Sequence, residues 1–67
     1  MARQMGTVEL SAEVIVSSAL LYRCIIQDRC IDFQPLHVQP GTTARRSGDK
    51  GIVVIPTWLA AAMGLVA

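Results

Sequence analysis

Charged residues are scarce in this sequence, and their scarcity excludes several classes of protein. They make up 16% of the 67 residues, against about a quarter in a typical soluble domain. The net charge is only +1, so the chain lacks the basic excess of a dedicated nucleic-acid binder. Hydrophobic residues reach 52%, which is too many for a disordered tail. The composition therefore favours a folded chain that is partly buried against another chain.

Metal ligands and catalytic nucleophiles are also few. The chain has two cysteines, Cys24 and Cys30, and one histidine, His37, which falls short of the four ligands of a structural zinc site. No paired carboxylates, nucleophile elbow or phosphate-binding loop stands out. We therefore expect a non-enzyme with no cofactor, metal or small-molecule substrate. We also expect two reduced, packed thiols, and His37 in an ordinary packing or hydrogen-bonding role.

Segments for export and membrane insertion are missing as well. Residues 1–6 contain no apolar stretch of the kind found in signal peptides, and no asparagine is present to accept an N-linked glycan. The longest uncharged stretch, residues 51–67, contains Pro56 and Gly64 and is shorter than the roughly 20 residues of a membrane helix. The sequence predicts an intracellular chain without a membrane span, within a virion or other assembled particle as one such location.

The length predicts one small domain, residues 1–67, and the patterns predict an α+β fold. We expect a small, mostly antiparallel sheet of three to four short strands with one short C-terminal helix. Polar and apolar residues alternate over residues 7–17, where a helix beginning at Ser11 is the alternative. The β-branched residues from Val14 to Val16 favour the strand. One face of that strand would carry Val8, Leu10, Ala12, Val14 and Val16.

The two apolar runs that follow predict a hairpin. Residues 20–26 and 30–38 flank Gln27 and Asp28, which can form a two-residue turn. In that register Cys24 lies opposite Ile31, and Ile25 lies opposite Cys30. The two thiols then point to opposite faces of the sheet and do not form a disulfide. Pro35 makes the returning strand a broken strand or an edge strand.

Residues 40–50 form the one long loop, which we expect to be flexible or ordered by a partner. The loop holds a small basic group, Arg45, Arg46 and Lys50, with Asp49 among them. Such a group can contact phosphates or an acidic partner. No aromatic residue lies among the basic ones to stack on bases. A solvated loop or an acidic protein partner is therefore favoured over nucleic acid.

Residues 51–67 contain no ionisable side chain. Residues 52–55 predict a strand covered on both faces, Thr57 an N-cap, residues 58–63 a helix, and Gly64 its end. Helical angles place Ala60, Ala61 and Gly64 on the side away from Trp58, so that neither side of the helix carries a charge. We therefore predict a protein interface formed by Ile52, Val54, Trp58, Leu59, Ala61, Met63 and Leu65.

Residues 50–65, KGIVVIPTWLAAAMGL, resemble the swapped-hairpin DNA-binding segment of AbrB/MazE-type regulators and antitoxins. In that family a KGxxVIP strand runs into a short helix that ends in GL, and further strands complete an intertwined dimer. The family's helix carries an arginine where this sequence has Ala60. The resemblance implies a dimeric regulator that binds duplex DNA.

The function favoured by the sequence is that of a non-enzymatic small structural or interaction protein. It would oligomerise or dock into a larger assembly, such as a viral particle or a regulatory complex. A dimeric AbrB/MazE-like regulator or antitoxin is the first alternative, with Arg45, Arg46 and Lys50 contacting DNA. A small inhibitor that docks on a host enzyme is the second alternative.

Overall fold

The computed structural model describes residues 6–66, which form a four-stranded antiparallel sheet and one short C-terminal helix. The predicted α+β fold is thus confirmed. The strands are β1 (Thr7–Ser17), β2 (Tyr22–Ile26), β3 (Arg29–Phe33) and β4 (Lys50–Pro56), and the helix α1 is Thr57–Ala62. Their order across the sheet is β3-β2-β1-β4. A short 3-10 turn, Pro35–His37, follows β3.

β1 confirms the strand predicted for residues 7–17, with one correction near its end. Val14 pairs with Cys24 in β2, but the register then shifts, so that Val16 pairs with Arg23. The shift is a β-bulge, in which Ile15 is the extra residue. The alternation predicted that Val14 and Val16 share one face of the sheet. Because the bulge breaks the period of two, they lie on opposite faces.

The hairpin of β2 and β3 has the predicted register. Cys24 lies opposite Ile31 and Ile25 lies opposite Cys30, and both cysteines are free. Cys24 is buried, whereas Cys30 is exposed. The expectation of two packed thiols is therefore correct for Cys24 and wrong for Cys30, whose side chain lies on the face of the sheet opposite the core.

The turn of this hairpin uses a backbone conformation that its residues rarely adopt. Gln27 and Asp28 have φ values of 54° and 63°, as in the type I′ turns that favour asparagine and glycine. The Gln27 side-chain amide donates a hydrogen bond of 2.9 Å to the carbonyl of Leu65. Arg29 donates one of 3.0 Å to the carbonyl of Met63. The hairpin thus holds the C-terminal end of α1, which offsets part of the conformational cost of the turn.

The strand predicted for residues 30–38 ends earlier, at Phe33. Pro35 has no N–H to donate to a ladder, and it begins the 3-10 turn instead. The N–H of His37 donates to the carbonyl of Gln34 at 2.9 Å. Beyond this turn the chain leaves the β3 edge of the sheet and reaches the far side of β4.

Residues 39–44 run antiparallel along the outer edge of β4. The N–H of Gln39 donates to the carbonyl of Val54, and the N–H of Thr43 to the carbonyl of Ile52, each at 2.8 Å. The hydroxyls of Thr42 and Thr43 accept the N–H groups of Val54 and Ile52, each at 2.9 Å. Much of the segment predicted as a loop at residues 40–50 is therefore held by hydrogen bonds from the chain itself.

The core lies between the inner face of the sheet and α1. Its largest fully buried side chains are Ile26, Ile55, Val14, Val53 and Cys24. Val54 is buried on the opposite face of the sheet, where residues 39–44 approach it at Gly41. Residues 53–55 are therefore buried on both faces, whereas Ile52 is only partly buried, so the predicted coverage of residues 52–55 holds for three of the four residues.

α1 begins at Thr57 with Pro56 as its N-cap residue, so the prediction that Thr57 is the N-cap is wrong. The carbonyl of Gly6 accepts the N–H of Thr57 at 3.0 Å, which replaces a side-chain cap. Gly64, with a φ of 73°, ends the helix as predicted. Among residues 6–66, no helix is long and apolar enough to cross a membrane.

The buried side of α1 differs from the one that helical angles indicated. Leu59 and Ala60 are buried, while Trp58, Ala61 and Ala62 are exposed. The assignment of Ala60 to the outer side is therefore wrong, as is the placement of Ala61 on the side away from Trp58. The junction with β4 at Pro56 orients the helix, and a small side chain at Ala60 lets the helix backbone pack closely on the sheet.

Candidate functional site

An exposed apolar surface forms where the 3-10 turn meets α1. The rings of His37 and Trp58 pack edge to face, with centroids 5.6 Å apart and planes at 86°. Trp58 is nevertheless 48% exposed, and Leu36, next to His37 in the chain, is 72% exposed. We define the Trp58 patch as Leu36, His37, Trp58, Ala61 and Ala62.

Local backbone structure positions the members of the Trp58 patch. Pro35 has a restricted φ and starts the 3-10 turn that carries Leu36 and His37. Trp58 is the second residue of α1, and Ala61 and Ala62 follow it by three and four positions, on the same side of the helix. The imidazole ring packs against the indole ring and limits its side-chain motion, so Trp58 is presented in a defined orientation.

The Trp58 patch carries no formal charge apart from any proton on His37. Residues 33–44 and residues 51–67, the two segments that contribute to it, contain no Asp, Glu, Lys or Arg. Exposed helix faces of soluble domains normally carry such residues. A half-exposed tryptophan on an uncharged surface is the kind of feature found at the centre of protein interfaces.

The predicted interface residues divide into three groups in the structure. Trp58 and Ala61 are exposed, and Ile52 and Met63 are partly buried. Val54, Leu59 and Leu65 are buried within the chain's own fold. The structure therefore brings Trp58 and Ala61 together on the surface and directs the larger aliphatic side chains inward. That another chain contacts this surface remains a prediction.

Ile52 lies on the face of the sheet opposite the core, away from the Trp58 patch. There it lines a shallow, open groove together with Ser11, Glu13, Ile25 and Lys50. The cross-strand partners of Ile52 and Lys50 are Ser11 and Glu13. The groove combines two isoleucine side chains with the oppositely charged side chains of Glu13 and Lys50.

The structure divides the predicted basic group, because Arg45 and Arg46 lie in the turn that precedes β4 whereas Lys50 is the first residue of β4. The side-chain Nε of Arg45 donates to the carbonyl of Thr42 at 3.0 Å. Asp49 accepts the backbone N–H groups of Arg46 at 2.9 Å and of Arg45 at 3.1 Å. These two bonds hold the pKa of the Asp49 carboxyl below its usual value. Asp49 therefore stays ionised beside the two arginines and reduces the positive potential that they offer a phosphate.

Other side chains that bear on chemistry are dispersed through the described part of the chain. Within residues 6–66, no three His, Cys, Asp or Glu side chains lie close enough together to hold a metal ion. Arg23 and Asp32 form an exposed ion pair, with Nε and Oδ1 2.8 Å apart. The pair lowers the pKa of Asp32, mainly through the side-chain hydrogen bond from Arg23. Its role is cross-strand pairing between β2 and β3.

Tyr22 links the sheet to the segment that covers the edge of β4. Its hydroxyl donates a hydrogen bond to the carbonyl of Ala44, and both residues are buried. Burial raises the pKa of Tyr22 to about 12, with a further contribution from Cys24. Burial likewise raises the pKa of the Cys24 thiol to about 11.

We expect the alkaline stability of the fold to report on Tyr22. Its pKa is raised from 10.0 to about 12, so above pH 10 the unfolded chain releases a proton that the folded chain retains. The contribution of Tyr22 to stability is therefore fully present below pH 10 and is lost as the pH rises towards 12. Because the chain has one tyrosine, absorbance at 295 nm measures its ionisation directly. The native chain should titrate well above the urea-unfolded chain, and coincident titrations would contradict the buried hydrogen bond.

Comparison with protein-family models, with curated proteins and with solved structures found no significant match to this chain. Its function is therefore inferred from its own sequence and geometry. Sequence reasoning identified Trp58 but missed the contribution of Leu36 and His37, which lie 22 and 21 residues before it. The available signal was Pro35, which indicates that the strand ends before it. A proline does not show where the chain runs next, so the contact with Trp58 could not be predicted.

Proposed function

We propose that the chain is a non-enzymatic small structural or interaction protein that docks into a larger protein assembly through the Trp58 patch. An accessory subunit of a viral particle or of a regulatory complex is the kind of role that fits. The observation that carries the proposal is Trp58, held edge to face against His37 while 48% exposed, on a surface without Asp, Glu, Lys or Arg.

Two physical arguments support docking at this surface. An indole that is already oriented by a neighbour loses less conformational freedom on binding than a free side chain does. Small side chains at Ala61 and Ala62 allow a partner's backbone to come close to α1, so that the indole can be fully covered. Aromatic residues in such central positions typically account for about 2 kcal/mol or more of association free energy.

The DNA-binding alternative depends on Arg45 and Arg46, whose backbone N–H groups both bind the Asp49 carboxylate. It predicts binding to random duplex DNA that weakens steeply with salt. Docking through the Trp58 patch predicts binding to protein that changes little when the two arginines are neutralised. The two functions therefore differ in which variant abolishes binding.

The test is co-purification of the tagged chain from its native source, with and without Trp58→Ala. Leu20→Ala is the matched control, because Leu20 is an apolar residue that is 87% exposed in the connection between β1 and β2. We expect one protein at a defined stoichiometry with the wild-type and Leu20→Ala chains, and at least tenfold less with Trp58→Ala.

Two results would count against the proposal. A partner that binds the Trp58→Ala variant as tightly as the wild type would show that the Trp58 patch is not the docking surface. Salt-dependent duplex binding that is lost when Arg45 and Arg46 are both replaced by glutamine would favour the DNA-binding regulator. Circular dichroism of each variant separates loss of binding from loss of fold.

A further inference from the structure

The two edges of the sheet are treated differently by the fold. At the β4 edge, residues 39–44 provide partners for the N–H and carbonyl groups of Ile52 and Val54. At the opposite edge lies β3, and within residues 6–66 no segment pairs with its outer side. An uncovered edge strand offers a row of free backbone donors and acceptors to another strand.

The register shows which groups of β3 point outward. Val14 exchanges hydrogen bonds with Gly48 and Asp49 on the β4 side, so its pair with Cys24 is not a hydrogen-bonded pair of the β1–β2 ladder. Alternate residues of an antiparallel strand direct their backbone groups to opposite sides. Cys24 therefore bonds across to Ile31, opposite which it lies. The N–H and carbonyl groups of Cys30 and Asp32 consequently point away from the sheet.

The charged side chains of β3 do not guard this edge. Natural edge strands are often protected by charged residues or proline. Arg29 instead reaches over the core face to the carbonyl of Met63, and Asp32 turns inward to Arg23 on β2. The remaining residues of β3 are Cys30, Ile31 and Phe33, none of which is an Asp, Glu, Lys or Arg.

We propose that β3 pairs with β3 of a second copy of this chain, antiparallel and centred on Ile31, to form one continuous eight-stranded sheet. Cys30 of one copy would exchange two backbone hydrogen bonds with Asp32 of the other, and the reverse. The two Ile31 residues would form a non-hydrogen-bonded pair, with their side chains facing each other on the core side. In such pairs the two side chains lie closer together than in hydrogen-bonded pairs.

Registers centred on Cys30, Ile31 or Asp32 all pair the outward-pointing backbone groups of one copy with those of the other. Charge distinguishes among these three registers. Centring the pair on Cys30 would place Asp28 opposite Asp32 of the second copy. Centring it on Asp32 would place the two Asp32 carboxylates directly opposite each other. Like charges in facing positions destabilise a ladder. Centring on Ile31 places Arg29 opposite Phe33, opposes no like charges, and overlaps all five residues of β3.

The interface of two five-residue strands is small, so we expect a weak dimer that forms at tens to hundreds of micromolar. Sedimentation velocity from 10 µM to 1 mM, under reducing conditions, measures it. Cys30→Pro is the test variant, because its missing N–H points outward and edge proline leaves the ladder with β2 intact. Cys30→Ser is the matched control that keeps the N–H. The wild type and Cys30→Ser should dimerise, and Cys30→Pro should associate at least tenfold more weakly.

Cross-linking tests the register and does not depend on how Cys30→Pro folds. In Asp32→Cys, Cys30 would lie opposite the new thiol of the second copy, within the Cα separation that a disulfide spans. Mild oxidation should give a covalent dimer, whereas the double variant Cys30→Ser, Asp32→Cys should give at least tenfold less.

A wild-type chain that stays monomeric to 1 mM overturns the proposal, as does equal association of the Cys30→Pro and Cys30→Ser variants. Equal cross-linking of the two Asp32→Cys variants overturns the register. The proposal is independent of the Trp58 patch, so Trp58→Ala should dimerise like the wild type. Dimerisation that disappears with Trp58→Ala would place the contact at the Trp58 patch and overturn pairing through β3.

Discussion

Replacing Ile55 with alanine is expected to destabilise the fold by about 2–5 kcal/mol, the range for large-to-small changes in a core. Ile55 is 0% exposed, and it pairs with Val8 of β1 on the core face beneath α1. Removing three carbons there leaves a cavity, which can close only if α1 and β1 move towards each other. A chain of this size has a total stability of only about 3–10 kcal/mol, so the substitution would remove a large share of it.

Urea denaturation followed by circular dichroism measures this effect, and Ile25→Ala is the matched control. Ile25 is also an isoleucine in a strand, but it is 37% exposed and lies on the face of the sheet opposite the core. We expect its truncation to cost less than about 1 kcal/mol. Equal losses for Ile55→Ala and Ile25→Ala would contradict the position of the core.

Replacing Gly51 with alanine is expected to cost about 2 kcal/mol or more, because the added methyl group meets the segment that covers β4. A Cβ at Gly51 would lie 2.5 Å from Oγ1 of Thr43 and 3.5 Å from the backbone nitrogen of Ala44. Thr43 Oγ1 accepts the N–H of Ile52. Relieving the overlap requires this hydroxyl to move, so the variant loses both close packing and a hydrogen bond.

A double-mutant cycle with Thr43→Ala checks the cause. Thr43→Ala removes the atom that the new methyl group would meet, so the double variant should be more stable than the sum of the two single losses implies, by about 1 kcal/mol. Strictly additive losses would show that Gly51 acts in some other way. Thermal unfolding of the four chains at one protein concentration supplies the comparison.

The register of the β2–β3 hairpin could be predicted from local sequence. Two apolar runs flank a two-residue turn at Gln27 and Asp28, and period-two alternation then sets every pair, so the placement of Cys24 opposite Ile31 followed from the sequence. The strand–proline–helix order at β4 and α1 also follows from local chemistry. Pro56 has no N–H for the ladder, and the positive φ of Gly64 ends the helix.

Only part of the Trp58 patch could be predicted from the sequence. Trp58 stood out as the one tryptophan in a segment without charge, but its partner His37 lies 21 positions earlier and shares no motif with it. The bulge at Ile15 was equally hidden, because β-branched residues fit a regular strand and a bulge alike. Leu59 and Leu65 were assigned to a surface that faces another chain, whereas the fold buries them in its own core.

The sequence by itself determined the order of strands and helix, the hairpin register, the helix end and the lack of charge over residues 51–67, since each depends on neighbouring residues. Only the tertiary structure decided which edge of the sheet is covered and which apolar residues stay on the surface. Residues 39–44 lie along β4 because Thr42 and Thr43 satisfy its backbone N–H groups, a match between segments about ten residues apart. The same crossing brings His37 to Trp58 and, among residues 6–66, leaves the outer edge of β3 without a paired segment.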